Sequence, residues 1–284
     1  NTVIINKKIK SFKKKISVPG DKSLSIRWIL FSSLASGDSI AKNLLKSEDV
    51  LSTIDAVKKL GIKVKLKKNY CKIHGKGING YRYKKNILIN AGNSGTLGRL
   101  LLGLLINSPS SIKLIGDKSL SKRDFKRISD PLSKFGAKFK LNKNHGLPLK
   151  MIGTNELKPI FFDEKKGSAQ IKSAVIFGGL RTKGKTLIKA KKSRNHTEIL
   201  CKYLGLPIKV KNKNNFDLIE INKAKKIKPI NYKIPSDISS ASFFLVLTAL
   251  TKKSELVIKN VNINPSRIGI ITILKKMGVI IKFL

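Results

Sequence analysis

Acidic residues are scarce in this sequence: 16 Asp and Glu accompany 60 Lys and Arg, so the formal net charge is +44. Cysteine is nearly absent, because Cys71 and Cys201 are too few for a disulfide framework and lack the spacing of metal ligands. The longest apolar run covers residues 100–106 and falls far short of the ~20 residues that span a bilayer. No basic segment followed by an apolar segment opens the chain, so nothing indicates export. These absences argue against a disulfide-rich secreted domain and a helical membrane protein, and they predict a cytoplasmic location.

What is present is the composition of a folded protein. Hydrophobic residues make up 41% of the 284 residues and no long polar tract occurs, so extensive disorder is disfavoured. A chain of this length exceeds what one hydrophobic core usually serves. Length therefore predicts two domains.

The charge favours a nucleic-acid partner only at first sight. Of the 60 basic residues 52 are Lys and 8 are Arg, and Lys, Ile and Asn together account for 111 of 284 residues, as an AT-rich coding sequence would produce. Arg is the residue that makes bidentate contacts with phosphate and guanine. Because Lys is spread over every segment, we interpret most of the charge as solvated surface. A nucleic-acid-binding module remains an alternative, and it requires a continuous basic stripe with steeply salt-dependent binding.

Four segments of the chain repeat one plan. In each of them a small polar loop leads into an apolar helix, and a strand, a polar helix and another strand follow in that order. Their opening serines are 69, 74 and 72 residues apart; the opening residues are Ser25, Ser94, Ser168 and Ser240, and the polar helices end at Gly61, Gly136, Gly205 and Gly278. The glycines are typical of the left-handed residue that ends a helix. The small polar openings are typical of N-caps. The pattern predicts an α/β protein built of βαβαβ-type units.

Helices that open with small polar residues have a chemical consequence. Their first backbone N–H groups and the positive end of the helix dipole remain available, which favours an anion. One such helix is most simply a well-capped helix. Several converging on one cleft would favour a multiply anionic ligand.

The loops themselves carry recognisable segments. They read PGDKSLSIR at 19–27, AGNSGTLGR at 91–99, GDKSLSKR at 116–123, GSAQIKSA at 167–174, KSRNHTE at 192–198 and PSDISSAS at 235–242. In this order and at these distances they resemble the 5-enolpyruvylshikimate-3-phosphate synthase family of enolpyruvyl transferases, from about residue 9 to the end of the chain. The segments at 19–27 and 91–99 are the most specific to that family.

The resemblance implies a fold of two similar domains, each of three repeated βαβαββ units, in an inside-out α/β barrel arrangement. Residues 20–235 would form one complete three-unit domain, and residues 1–19 with 236–284 would form part of the second. Six units would need roughly 430 residues, whereas about four are visible and the chain begins with Asn. We therefore expect a C-terminally truncated fragment that does not turn over alone.

The resemblance also implies a reaction and its participants. The family transfers the enolpyruvyl group of phosphoenolpyruvate to the 5-hydroxyl of shikimate 3-phosphate by addition and elimination, within aromatic amino acid and chorismate biosynthesis. It uses no metal or organic cofactor. The expected partners are these two small molecules, with neither nucleic acid nor membrane, and the expected state is a monomer. Two phosphates and two carboxylates must be held together, which calls for many cations and helix N-termini, and a proton carrier is needed.

The family's functional positions carry over residue by residue. Lys22 matches the lysine that contacts both substrates and is the candidate catalytic proton carrier. The positions matching the shikimate 3-phosphate site are Lys22, Ser23, Arg27, Ser168, Ala169, Gln170, Ser193 and Arg194. The positions matching the phosphoenolpyruvate site are Lys22, Asn93, Gly95, Thr96, Arg123 and Gln170. Because members with Gly at the position of Gly95 are inhibited by glyphosate, we expect such inhibition here.

Some assignments remain open. Asp124 follows Arg123 where the family often has Pro. Arg99 could pair with a carboxylate or serve the site, Asp237 could cap a helix or take part in catalysis, and His196 could begin a helix or reach the cleft.

The nearest rival is the related family that transfers enolpyruvyl to UDP-N-acetylglucosamine. It has Lys-Asn in the first loop and a reactive Cys in its second unit. Here the first loop is Lys22-Ser23 and residues 114–125 contain no Cys.

Overall fold

The computed structural model describes residues 9–108 and 110–284 of the chain, in which strands and helices alternate. The strands are β1 (Lys13–Ile16), β2 (Ser36–Lys42), β3 (Lys63–Leu66), β4 (Tyr70–Lys76), β5 (Ile87–Asn90), β6 (Ser111–Ile115), β7 (Lys138–Lys140), β8 (Leu149–Ile152), β9 (Phe161–Glu164), β10 (Thr186–Lys191), β11 (Ile208–Asn212), β12 (Phe216–Ile221), β13 (Asn231–Lys233) and β14 (Glu255–Ile258). The helices are α1 (Lys22–Leu34), α2 (Glu48–Lys59), α3 (Gly95–Leu104), α4 (Lys118–Ser121), α5 (Lys126–Ser133), α6 (Ala169–Gly179), α7 (His196–Tyr203), α8 (Ile238–Leu250) and α9 (Gly269–Lys276).

The chain divides into two units. The larger is Lys22–Lys233, and the smaller contains the described residues 9–21 together with Ile234–Leu284. The sequence-based boundaries, 20 and 235, lie two residues outside the larger unit at each end. That the larger unit corresponds to one complete three-unit domain stays a prediction.

The predicted repeat is present in the larger unit as three four-stranded sheets with one topology. Their strand orders are β13-β2-β4-β3, β5-β6-β8-β7 and β9-β10-β12-β11. In each sheet the first pair is parallel and the other two pairs are antiparallel. These are the βαβαββ units that the resemblance implied. None of the sheets closes into a barrel within the described residues, so the architecture is three separate sheets around helices.

The first sheet joins the two ends of the larger unit. Strand β13 follows the third repeat in sequence, yet it pairs in parallel with β2 of the first repeat, with Asn231 opposite Ile40 and Lys233 opposite Lys42. In the other two sheets the parallel edge strand, β5 or β9, directly precedes the inner helix α3 or α6, whereas in the first sheet that strand comes from the far end of the unit.

The three inner helices, α1, α3 and α6, form the core of the larger unit. Almost every residue of these helices is buried, which matches their apolar composition on all faces. The rings of Phe31 in α1 and Phe177 in α6 pack with centroids 4.8 Å apart. Helices α3 and α6 approach closely because Gly103 has no side chain: a Cβ there would lie 2.1 Å from the carbonyl oxygen of Ala174.

The predicted helix ends are confirmed at the C-termini and partly at the N-termini. Gly61, Gly136, Gly205 and Gly278 all have positive φ, between 62° and 109°, and lie two or three residues after the last residue of a helix. Ser94 and Ser168 are N-caps whose hydroxyls accept from Leu97 N and Ile171 N. The prediction was wrong for Ser25 and Ser240, which lie inside α1 and α8, because those helices begin three and two residues earlier, at Lys22 and Ile238.

The smaller unit is built on the parallel pair β1 and β14 with helices α8 and α9. Its core contains Val18, Ile238, Ala241 and Ile271. Asp237 is the N-cap of α8, since its carboxylate accepts from Ser239 N at 2.7 Å, as one of the two interpretations expected. Within the described residues no helix has the length and apolarity needed to cross a membrane.

Candidate active site

The N-termini of the three inner helices border one cavity of about 230 Å³ in the larger unit. Its lining includes the first residues of α1, α3, α6 and α7. The lining residues are Lys22, Ser23, Arg27, Asp49, Asn93, Ser94, Gly95, Thr96, Arg123, Ala169, Gln170, Arg194 and His196. The topology accounts for part of this convergence, because α3 follows β5 and α6 follows β9 at the same position of two equivalent sheets.

Most of the predicted site residues lie together in this lining. Those present are Lys22, Ser23, Arg27, Asn93, Gly95, Thr96, Arg123, Ala169, Gln170 and Arg194. Ser168 and Ser193 are not in the lining. Ser168 instead caps α6, and the hydroxyl of Ser193 is buried without a hydrogen-bond partner among the described residues.

Arg27 is held by hydrogen bonds on both edges of its guanidinium and is only 3% exposed. Nε donates to Thr197 Oγ1 at 2.7 Å, and Nη2 donates to Ser173 Oγ at 3.0 Å. The two hydroxyls are themselves 2.6 Å apart and hydrogen-bonded. Nη1 donates to the carbonyl oxygen of Ser23 at 3.1 Å. Helices α6 and α7 thus fix the direction in which Arg27 presents its positive charge to the cavity.

Lys22, the first residue of α1, forms an ion pair across the cavity wall. Its Nζ lies 2.6 Å from Asp49 Oδ2, and the side chains are 51% and 17% exposed. Asp49 lies in the first turn of α2, where a carboxylate complements the helix dipole. No motif singled it out in the sequence. An anion that binds Lys22 has to compete with this carboxylate.

Arg123 is connected to helix α4 through two side chains. Its Nη2 donates to Asn93 Oδ1 at 3.3 Å, and Asn93 Nδ2 donates to Asp117 Oδ2 at 2.5 Å. Asp117 is the N-cap of α4 and accepts from Leu120 N at 2.7 Å. The backbone N–H of Leu120 and the Asn93 amide hold the pKa of Asp117 below its ordinary value. The loop that begins α3 is therefore tied to the loop that carries Arg123.

Gln170 links the second and third repeats. Its Oε1 accepts from Arg99 Nη1 at 2.6 Å, and its Nε2 donates to Thr96 Oγ1 at 2.9 Å. The guanidinium of Arg99 lies 5.2 Å from the centroid of the Phe125 ring. Burial, followed by the charges of neighbouring arginines, lowers the pKa of Arg99. Arg99 therefore donates to the side-chain amide of Gln170, whereas one interpretation paired it with a carboxylate. This hydrogen bond orients Gln170.

Three further lining residues were not among the predicted substrate-binding residues. Asp49 and Ser94 lie in the first turn or at the cap of their helices, and His196 is the first residue of α7 and 2% exposed. For His196 the two interpretations are both met, since it begins a helix and borders the cavity. The sequence predicted Ser94 only as an N-cap, which it is. The approach of Asp49 to Lys22 requires the packing of α2 on α1.

The charges of the lining are strongly asymmetric. Lys22, Arg27, Arg123 and Arg194 are cationic, and Asp49 is the one carboxylate in this lining. The N-terminal N–H groups and dipoles of the inner helices add to the positive potential. Guanidinium groups with helix N-termini suit phosphate and carboxylate groups. The cavity can therefore hold a ligand with several negative charges.

The two cysteines lie away from this cavity. Cys71 is buried in β4, where burial raises its pKa to about 12, and Cys201 is buried in α7, where burial also raises its pKa. Buried thiols of raised pKa are poor nucleophiles. Neither is placed to act as the reactive Cys of the family that uses a UDP-amino sugar.

Comparisons with known proteins give the relatives of this chain. Residues 6–283 match the family model described as EPSP synthase (3-phosphoshikimate 1-carboxyvinyltransferase). The 3-phosphoshikimate 1-carboxyvinyltransferase of Caldicellulosiruptor saccharolyticus is 43% identical over 279 residues, which cover 96% of this chain and 64% of the relative. That of Streptococcus agalactiae serotype III is 42% identical over 270 residues, covering 94% and 62%. A solved structure of EPSP synthase from Acinetobacter baumannii superposes with a TM-score of 0.86 at 38% identity, covering 95% of this chain and 60% of that one.

The chain spans 60–64% of the length of these relatives. The family match nevertheless extends over nearly all of its residues, in both units. The cavity at the helix N-termini and the three-sheet architecture both occur within the matched range. The chain belongs to the EPSP synthase family.

Proposed function

We propose that the protein transfers the enolpyruvyl group of phosphoenolpyruvate to the 5-hydroxyl of shikimate 3-phosphate, as a step of aromatic amino acid biosynthesis. The observation that carries the proposal is the cavity at the N-termini of α1, α3 and α6. Four cationic side chains line it against one carboxylate. The two substrates together bring two phosphates and two carboxylates, so their charges complement this lining.

The lining divides between the two substrates. We assign shikimate 3-phosphate to the side formed by α1, α6 and the loop before α7, with Arg27 on its carboxylate. Its phosphate would lie at Ala169 and Arg194, next to Ser168 and Ser193, which lie outside the lining itself. Ser23 and Gln170 would complete this side. Phosphoenolpyruvate would lie at the start of α3, between Asn93, Gly95, Thr96 and Arg123. Lys22 and Gln170 stand between the two groups and would contact both.

The reaction requires two proton movements that the lining can serve. In the addition step the 5-hydroxyl oxygen bonds to C2 of phosphoenolpyruvate, the hydroxyl proton leaves, and C3 gains a proton. In the elimination step the bond from C2 to the phosphate oxygen breaks, and C3 loses a proton to restore the double bond. Lys22 Nζ, 2.6 Å from Asp49 Oδ2, is the proposed proton carrier. The cations stabilise the phosphate as it leaves.

We propose that the protein works as a monomer, because one chain supplies every residue of the lining, and in the cytoplasm, the location that the sequence predicts. We also propose that the 284 residues alone do not complete the catalytic cycle, since the four cationic side chains of the lining do not match the charge of two phosphates and two carboxylates.

The test is a phosphate-release assay on the product of the whole gene with phosphoenolpyruvate and one of two acceptors. We expect release with shikimate 3-phosphate and none with UDP-N-acetylglucosamine. Release only with the UDP sugar would overturn the assignment of the acceptor. The same assay on the 284-residue chain should give no turnover, and sustained release would contradict that part of the proposal.

A further inference from the structure

A second and larger cavity, of about 680 Å³, lies in the larger unit where α3 and α6 end. Leu105, the C-cap of α3, and Arg181, which follows α6, both line it. No residue of its lining also lines the candidate active site, whose cavity lies at the opposite ends of these helices. We call it the Arg181 cavity.

Cationic and aromatic residues dominate the lining of the Arg181 cavity. Arg82, Arg181, Lys183 and Lys223 are positive, and Glu156 is the one acid among the lining residues. The rest of the wall includes the rings of two tyrosines and several aliphatic side chains. The lining therefore combines an excess of positive charge with apolar surface.

Arg181 is a buried guanidinium with few partners. It is 8% exposed, and its Nη2 donates to Asn79 Oδ1 at a long 3.3 Å. Its Nε and Nη1 find no acceptor, and no ion pair joins it to a carboxylate, among the residues that the structure describes. A buried charged group normally has a paired or fully hydrogen-bonded environment. An anionic acceptor is the group that this guanidinium lacks.

Tyr81 and Tyr83 provide the apolar wall beside Arg181. Tyr81 Oη is hydrogen-bonded to Ser33 Oγ at 2.6 Å, and Tyr83 Oη is hydrogen-bonded to Ser108 Oγ. Because these hydroxyls already have partners, the rings are the surface that the tyrosines offer to a ligand. Leu157 adds aliphatic surface.

We propose that the Arg181 cavity binds a small aromatic carboxylate. The carboxylate accepts hydrogen bonds from the Arg181 guanidinium, which suits the planar geometry of the pair. Exposed Lys183 and Lys223 add positive potential at the rim, and the ring lies against Tyr81 and Tyr83. The volume is within the range of small-molecule sites.

The proposal makes Arg181 a ligand-binding residue. The competing role for Arg181 is to complement the negative C-terminal end of α6, which it follows. In that case its removal lowers stability and has no effect on an anion in the cavity. The two roles are therefore separable by binding measurements.

The experiment uses tyrosine-specific isotope labelling and benzoate as the probe, in a buffer that contains no phosphate and no other carboxylate. The chain has five tyrosines, and two of them line the Arg181 cavity. We expect saturable shifts of the Tyr81 and Tyr83 ring signals and unchanged signals from Tyr70, Tyr203 and Tyr232. Neutral benzamide should bind at least about tenfold more weakly, because it lacks the charge. Absence of saturable shifts at these two rings would overturn the proposal.

Variants then assign the binding to its residues. Arg181→Gln should weaken benzoate binding at least about tenfold, and Lys183→Gln with Lys223→Gln about two- to fivefold. The matched control for this rim pair, Lys183 and Lys223, is Lys209→Gln with Lys211→Gln. It removes the same charge from β11 and should leave the benzoate affinity unchanged. If Arg181→Gln does not fold, the rim pair and its control decide. Unchanged affinity in a folded Arg181→Gln protein, or in the rim pair, would refute the proposal.

A last variant separates this inference from the proposed function. Arg123→Gln alters the candidate active site and should leave benzoate affinity unchanged. Loss of benzoate binding in that variant would mean that the probe occupies the active site, which would contradict a second site. Failure of the enolpyruvyl transfer assay has no bearing on these measurements.

Discussion

At the scale of single residues, Gly95 shows how little space the candidate site leaves. A Cβ at Gly95 would lie 2.8 Å from Arg99 Nη1 and 3.0 Å from Arg123 Nη1. Both contacts are with the ends of flexible side chains, so the added methyl group would displace the guanidinium groups and leave the backbone in place. The glycine therefore keeps room for two arginines at the start of α3.

We predict that Gly95→Ala weakens phosphoenolpyruvate binding about three- to thirtyfold, because it moves Arg123 from its place beside Asn93. Isothermal titration calorimetry measures this directly. Gly98→Ala, one turn along the same helix, is the matched control. Its Cβ would meet the Phe125 ring at an ordinary 3.4 Å, so it should stabilise α3 by up to about 1 kcal/mol and leave affinity unchanged. Equal affinity of Gly95→Ala and wild type would contradict the assigned position of phosphoenolpyruvate.

Asp117 gives a prediction for pH. Its pKa lies below the ordinary 3.8 because Leu120 N and the Asn93 amide bond the charged form. The contribution of such a group to stability is present above the unfolded-state pKa and is lost as the pH falls through the lower folded-state pKa. In thermal unfolding, the difference between wild type and Asp117→Asn should be constant from neutral pH down to about pH 4 and shrink below it. A difference that shrinks between about pH 7 and 5 would show that another group controls this loop.

Sequence reasoning reached most of the site at this scale. Residues such as Lys22, Arg27 and Arg123 lie in contiguous segments with small polar neighbours, so local pattern identifies them. Asp49 lies in a different helix with no such segment. Its partner, Lys22, is 27 positions earlier in the chain, and only the packing of α2 beside α1 joins them.

At the scale of helices, α6 and α7 are joined by a buried ion pair directly behind Arg27. Lys172 Nζ lies 2.6 Å from Glu198 Oε1, and the side chains are 0% and 4% exposed. Neighbouring Ser173 and Thr197 bond Arg27, so the ion pair and the arginine clamp share the same two helices. The pair therefore fixes the spacing of the helices that orient Arg27.

We predict that Glu198→Gln destabilises the protein by about 3–5 kcal/mol, because it leaves the buried Lys172 charge without compensation. Urea unfolding measures the change. The double variant Lys172→Met, Glu198→Leu should recover most of the loss, since two apolar residues need no compensation. The control is Glu220→Gln, which breaks the more exposed pair with Lys185 and should cost less than about 1 kcal/mol. Equal costs for the two single substitutions would show that the ion pair is not structurally important.

Helix ends were predictable to different degrees. The closing glycines were predicted correctly because a left-handed residue after a polar helix has a clear local signature. The openings at Ser25 and Ser240 were misplaced, because several small polar residues precede each helix and the sequence alone does not select the cap. The helix in fact begins at Lys22 in the first case and Ile238 in the second.

At the scale of the whole molecule, the repeat predicted the architecture of the larger unit but not the pairing of its last strand with the first repeat. Strand β13 pairs with β2 across more than 180 residues of sequence. Strand β13 has only three residues, and neither strand carries a local pairing signal. The pairing gives the first sheet the parallel edge strand that β5 and β9 give to the other two.

Part of the positive charge of the chain lines two cavities. Four of the 60 basic residues line the candidate active site and four others line the Arg181 cavity. Each cavity therefore has four basic side chains in its wall, where they can contact the same anionic ligand. No sequence motif indicated the second cavity, because its residues come from five separate loops.

The central claim is that the cavity at the helix N-termini binds shikimate 3-phosphate through Arg27. The most direct measurement is calorimetric titration of shikimate 3-phosphate into the 284-residue chain and its Arg27→Met variant, with Lys209→Met as a control that removes an exposed cation from β11. We predict one site in the wild type, at least about thirtyfold weaker binding in Arg27→Met, and no change in Lys209→Met. Undiminished binding in Arg27→Met, or no binding to the wild-type chain, would contradict the account.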